Sequence, residues 1–199
     1  MPSDPIPAIP LVDDAAALIV VDVQRDFCPG GALAVPDGDA VVPVINGWID
    51  RFQRRGLPIV YTRDWHPPAH VSFRERGGPW PPHCVQDTPG AAFHPDLRVV
   101  GAVFHKGFDP DRDAYSGFEG VRVNGGEALA PWLRQQGVRH VVIAGLATDY
   151  CVRATALDAL REGFGVTVDP AGCRAVNVRP QDGADALAEL QSAGARLLE

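Results

Sequence analysis

Short apolar β-branched runs alternate with longer stretches of helical periodicity along most of this chain. Ala17-Leu18-Ile19-Val20-Val21-Asp22-Val23 reads as a buried strand ending in an acid. From Asp39 to Arg55, Val42, Ile45, Ile49 and Phe52 recur on one helical face, and Gly56 stops that helix. A second strand, Leu57 to Thr62, delivers Asp64 just past its end, and a third, Ala102 to Lys106, ends in a charged residue. Asn124 reads as the cap of a helix running to about Gln136, with a strand over 139–144 after it. Helical spacing resumes after Cys151, 165–169 reads as a fifth strand, Pro180 opens a last helix to about Ser192, and 195–198 adds a sixth strand. Strands alternating with helices predict an α/β fold of three layers, α/β/α, around a mainly parallel sheet of about six strands. Ligands in such sheets bind beyond the carboxyl ends of the strands. Asp22, Asp64, Lys106 and the turn from Ala147 to Cys151 all fall there.

Residues 1–16 are Pro-rich and aperiodic and read as a loose lead-in to a single domain spanning 1–199. The segment 65–95 has little regular pattern, yet it carries four histidines and two tryptophans; a structureless loop of that length in a compact domain is usually functional.

Composition narrows the partners. The formal charge of −7 argues against nucleic acid or an anionic membrane surface, and no apolar run is long enough to span a bilayer. A small-molecule substrate is the partner expected, for a monomer or small homo-oligomer. Four cysteines without a CxxC pair do not make a disulfide scaffold, and the N-terminus lacks the pattern of a signal peptide, so a cytoplasmic location is expected. Lys106 is the single lysine among 18 basic side chains, which suggests a position needing a compact ammonium.

Three groups of residues carry candidate chemistry. Cys151 sits where a strand hands over to a helix, with Thr148 or Asp149 as cap. The unpaired N–H groups and dipole of that helix start favour a thiolate. Asp22 could take the thiol proton and return it to a leaving amine, with Lys106 holding the carboxylate ionised. Each has a plainer reading, as a helix cap, a surface ion pair or a small core residue. Backbone N–H groups of Ala147 and Cys151 could face an oxyanion. Second, Asp64 and His66, with His70 and His83, offer ligands for a divalent metal such as Zn, Mn or Fe, against the alternative of solvated loop histidines. Third, Phe27, Trp80 and Tyr115 could wall a pocket for a flat ring, or simply pack their loops. No G-x-G-x-x-G follows the first strand, and neither a P-loop nor a G-x-S-x-G elbow occurs.

The segments Leu18–Phe27, Thr62-Arg63-Asp64-Trp65-His66-Pro67-Pro68, Trp80-Pro81-Pro82-His83-Cys84-Val85-Gln86, Lys106-Gly107, Tyr115–Phe118 and Gly145–Val152 resemble nicotinamidases (pyrazinamidases) of the isochorismatase-like cysteine hydrolases. The resemblance spans about residues 18 to 175. It implies deamidation of nicotinamide to nicotinate and ammonia in NAD salvage, through a thioester on Cys151 with Asp22 and Lys106 completing a triad. It also implies one divalent metal, zinc first and manganese or iron next, on Asp64, His66 and His83, orienting the substrate through its pyridine nitrogen. It further implies ring contacts from Phe27, Trp80 and Tyr115 and a cis peptide at Leu146-Ala147. The position of His70 ligates metal in some members only. A hydrolase of the same superfamily acting on another small amide, ureide or vinyl ether is the alternative, although such relatives lack the D-x-H…H set. A non-catalytic metal- or ligand-binding protein would have no need of the acid, lysine and thiol together.

Overall fold

The computed structural model describes residues 14–199. Seven strands form one sheet in the order β4-β3-β2-β1-β5-β6-β7. They are β1 (Ala16–Val21), β2 (Ile59–Asp64), β3 (Ala102–Lys106), β4 (Val121–Arg122), β5 (His140–Leu146), β6 (Gly165–Arg174) and β7 (Arg196–Leu197). Only β4 runs antiparallel, pairing with β3. The helices are α1 (Val41–Arg54), α2 (Leu129–Gln135), α3 (Arg153–Arg161) and α4 (Asp182–Ser192). Connections from β1 to β2 and from β5 to β6 run toward opposite edges. Right-handed crossovers therefore place α1 on one face and α2, α3 and α4 on the other.

Central strands β1 and β5 carry the most apolar sequence because both faces are covered: all six residues of β1 are buried, as are Val141 to Leu146. Helix α1 buries Val42, Ile45, Ile49 and Phe52 as its periodicity predicts, and adds Val41 and Trp48. The Trp48 indole N–H donates to Asp169 Oδ2 at 2.7 Å, so this large ring meets the sheet without an orphan donor.

Several boundaries differ from the sequence pattern. Ala16 already belongs to β1, and the rest of the expected lead-in lies largely outside the described residues. Asn124 caps no helix. It takes a left-handed φ of +62°, and with Gly126 (φ +77°) it turns the chain between β4 and α2, which starts at Leu129. The Arg122–Glu127 ion pair (2.9 Å) closes that turn. Strand β4 is too short for its two residues to show any alternation. Strand β6 continues past Asp169 to Arg174 because an irregularity opposite Ile143 and Gly145 lets pairing resume at Cys173. No helix among the described residues is long and apolar enough to cross a membrane.

Candidate active site

The carboxyl ends of β1, β2, β3 and β5 converge on one crevice beside β1, where successive connections diverge to the two edges. Asp22 leaves β1 with φ +48° and is fully buried. Thr62 on β2 donates its hydroxyl to Asp22 Oδ1 at 2.7 Å. Lys106 ends β3, equally buried, and its ammonium lies 2.9 Å from Asp22 Oδ2 and 3.4 Å from Cys151 Sγ. It also donates to Asp64 Oδ1. Asp22 Oδ2 is the one buried side-chain polar atom among the described residues with no aligned hydrogen bond, the Lys106 contact being an ion pair out of line. A carboxylate oxygen with no aligned hydrogen-bond donor, beside a thiol, can accept its proton.

Electrostatics set the resting protonation. Burial opposes the charge on Lys106, but Asp22 and Asp64 outweigh it and hold the ammonium well above its ordinary pKa. Burial pushes the Asp64 carboxyl up, yet Lys106, His66 and His83 more than reverse this and keep it ionised. Asp22 is raised, chiefly by burial, with Lys106 opposing and Asp64 adding to the rise. Burial pushes the Cys151 thiol well above its ordinary value; Lys106 lowers it, while Asp22 and Asp64 raise it. Burial and the two carboxylates thus oppose the thiolate that the helix start and Lys106 favour. Neither Thr148 nor Asp149 caps the turn: Thr148–Val152 is a π-helical turn with Ala147 in the cap position, and the Asp149 carboxylate accepts from the Val176 and Asn177 N–H groups (2.9 and 2.8 Å). The peptide Leu146-Ala147 is cis.

Asp64, His66 and His83 offer ligand atoms that all lie within 4.8 Å of one another. His66 donates Nδ1–H to the Gly107 carbonyl (2.9 Å) and His83 to the Pro81 carbonyl (2.8 Å). In the neutral rings each tether puts the proton on Nδ1 and leaves Nε2 its lone pair. Burial lowers the His66 pKa, but Asp64, whose Oδ2 stands 3.6 Å from His66 Nε2, outweighs it and raises the pKa, so a metal there would compete with a proton. Zinc takes nitrogen and carboxylate ligands at about 2.0–2.2 Å, so little contraction would close this set around an ion. The donor set fits a divalent metal and leaves coordination positions open. His70 does not offer a lone pair to it. Its Nε2 faces the Arg112 carbonyl (3.0 Å) and must carry the proton, and its Nδ1 accepts from the Ser72 hydroxyl (2.7 Å). The Cys84 thiol, buried on the same loop, stands outside the cluster.

A cleft joins the two groups, lined by Phe27, Trp80, Tyr115, Asp64, His83, Ala147 and Cys151. All three sequence-predicted aromatics stand on its walls. Trp80 donates its indole N–H to the Tyr115 hydroxyl (3.1 Å), linking the two long loops. Tyr150, Leu33, Val35 and Val176 also line the cleft, and the sequence pattern marks none of them as a candidate. Phe73, likewise without a motif, sets its ring edge-on to those of His66 and His83, each 5.5 Å away.

The isochorismatase domain family matches residues 16–199, and this chain belongs to that family. It is 46% identical to the nicotinamidase of Escherichia coli K12 over 91% of this chain and 93% of that protein. It is 48% identical to the nicotinamidase/pyrazinamidase of Mycobacterium tuberculosis over 76% of this chain and 82% of that one. Among solved structures, the pyrazinamidase of Pyrococcus horikoshii in complex with zinc superposes with a TM-score of 0.85 at 51% identity, covering 93% of this chain and 99% of that chain.

Proposed function

We propose that this protein is a nicotinamidase, hydrolysing nicotinamide to nicotinate and ammonia, with pyrazinamide as a second substrate. The observation that carries the reading is one aromatic-lined cleft that exposes Cys151 together with Asp64 and His83, with Asp22 and Lys106 packed behind the sulfur and His66 beside Asp64. Relatives bearing that activity match most of the chain.

In this reading Asp22 takes the Cys151 proton through Oδ2, the oxygen that faces the Lys106 ammonium at 2.9 Å, as the sulfur attacks the carboxamide carbon. Burial pushes the thiol pKa up, which favours proton transfer coupled to the attack, and the raised Asp22 carboxyl suits it. Backbone N–H groups of Ala147 and Cys151 receive the oxyanion, each such donor contributing about 2.7–4 kcal/mol. Asp22 then protonates the departing nitrogen, ammonia leaves, and a thioester remains on Cys151. Water attacks it while Asp22 accepts the water proton; nicotinate departs and the thiol is restored. Lys106 stays charged throughout and balances the Asp22 and Asp64 carboxylates. Phe27, Trp80 and Tyr115 hold the ring. Asp64, His66 and His83 would hold a divalent ion, zinc before manganese or iron, which when bound supplies a Lewis-acid contact for the pyridine nitrogen.

Ammonia release from nicotinamide, measured with each of the three metals supplied, tests the reading. No release with any of them at high enzyme concentration would overturn it.

A further inference from the structure

Gln24 is fully buried, stands outside every group described above, and spends its whole side-chain amide on backbone. Its Oε1 accepts the Asp64 N–H at 2.8 Å, and its Nε2 donates to the Asp64 carbonyl at 2.9 Å. The second Nε2 hydrogen goes to the Ala91 carbonyl at 3.0 Å. The carboxamide thus pairs with both polar groups of one residue as a neighbouring strand would, at the point where Asp22 has already turned out of β1. Asp64 needs that support. It lies at the end of β2, and its carboxylate serves two demands, one oxygen on Lys106 and the other toward His66.

The geometry points to Gln24 as a positioning residue for the metal: it fixes the Asp64 backbone so that Oδ2 faces His66 and His83 while Oδ1 stays on Lys106. This inference rests on the reading of Asp64, His66 and His83 as metal ligands. The residue type follows from the contacts. Glutamate would set an oxygen against the Asp64 and Ala91 carbonyls, where only a donor can pair. Asparagine falls one methylene short. Methionine fills the volume and offers no pairing. Asp22 and Gln24 are two apart, and so are their partners Thr62 and Asp64, so one short segment past β1 places both the proton acceptor and the metal ligand.

The test measures zinc affinity by competition with a chromogenic chelator on the metal-stripped full chain, for wild type, Gln24→Met, Gln24→Glu and Gln24→Asn. Each protein is kept well below its melting temperature, with near-UV circular dichroism confirming the native state. Loss of an outer-shell partner typically weakens metal binding by about 10–100-fold, and that loss is expected for Gln24→Met and Gln24→Glu. Gln24→Asn, which retains the amide, is expected to lie between them and wild type. KM for nicotinamide should rise in the same order. Lower melting temperatures with unchanged zinc affinity in the folded variants would overturn the inference and leave Gln24 a purely structural residue. If a variant fails to fold, the remaining two decide by the same comparison. Wild type that takes up no zinc, or binds it equally after Asp64→Ala, would instead overturn the metal reading, an outcome separate from the Gln24 comparison.

Discussion

The ammonium of Lys106 stands 3.4 Å from the sulfur of Cys151, both buried, with Asp22 Oδ2 2.9 Å from the same nitrogen. One cation therefore faces the proposed nucleophile, its proton acceptor and, through Asp64, the metal-ligand group. Removing it should be costly. Lys106→Met leaves two carboxylates buried without their cation, and breaking a buried ion pair in this way costs about 3–5 kcal/mol. Lys106→Arg is expected to restore little, because a planar fork cannot occupy the space of a compact ammonium among three partners. Urea unfolding checks both; a midpoint near wild type for Lys106→Met would show that the cluster does not depend on this charge.

Gly107 carries the carbonyl that tethers His66, and its φ is +64°. A Cβ there would lie 2.5 Å from His66 Cε1 and 2.7 Å from Nδ1. Gly107→Ala should push the His66 ring off its tether and weaken zinc binding by about tenfold or more. The left-handed backbone adds roughly 1–2 kcal/mol of destabilisation for any side chain. Zinc titration and thermal unfolding read the two effects separately. Unchanged zinc affinity would exclude His66 as a ligand held by this carbonyl.

Trp80→Phe keeps an aromatic face on the cleft and deletes the hydrogen bond to Tyr115. A net loss of about 0.5–1.5 kcal/mol in holding the wall corresponds to a KM several-fold higher, with kcat changed less. Steady-state kinetics with nicotinamide decide it. A fall in kcat at constant KM would place Trp80 in the chemical step instead.

His105 accepts a hydrogen bond from Arg63 Nε at 3.1 Å and stacks on Trp65. Burial and the Arg63 charge push its pKa down to about 4. An unfolded histidine takes up a proton near pH 6.5, roughly, and the folded one only near 4. The unfolded chain therefore binds more protons between these values, and stability is lost as pH falls through that window. His105→Phe should flatten the fall in melting temperature across the window. Parallel profiles for the two proteins would contradict it.

The parts of this site that sequence revealed are those whose chemistry is written in residue type. An acid, a lone lysine and a cysteine at three strand ends, and a D-x-H with a distant histidine, stand out because the rest of the chain is ordinary. Backbone roles left no such trace. Asn124 reads as a helix cap because the Gly125-Gly126 turn after it interrupts the pattern, and β4 is too short for periodicity. The upward push on the Cys151 thiol could not be read, because the helix-start argument leaves out full burial between two carboxylates. Gln24 and Thr62 did leave a faint signal: each lies two residues along the chain from a charged site residue, Asp22 and Asp64 respectively. Val176 lines the cleft through loop geometry alone, and Tyr150 through the π-helical turn that carries Cys151.

The central claim is that Cys151 forms a covalent bond to the carboxamide carbon of the substrate. Acid quenching of the metal-loaded enzyme during nicotinamide turnover, followed by peptide mass spectrometry, tests it directly. The account predicts a nicotinoyl group on the peptide containing Cys151, none on peptides containing Cys28, Cys84 or Cys173, and ammonia release reduced at least about a thousandfold in Cys151→Ala, on the scale seen when a nucleophile is removed. Sustained turnover by Cys151→Ala, or an acyl group on another cysteine, would contradict it.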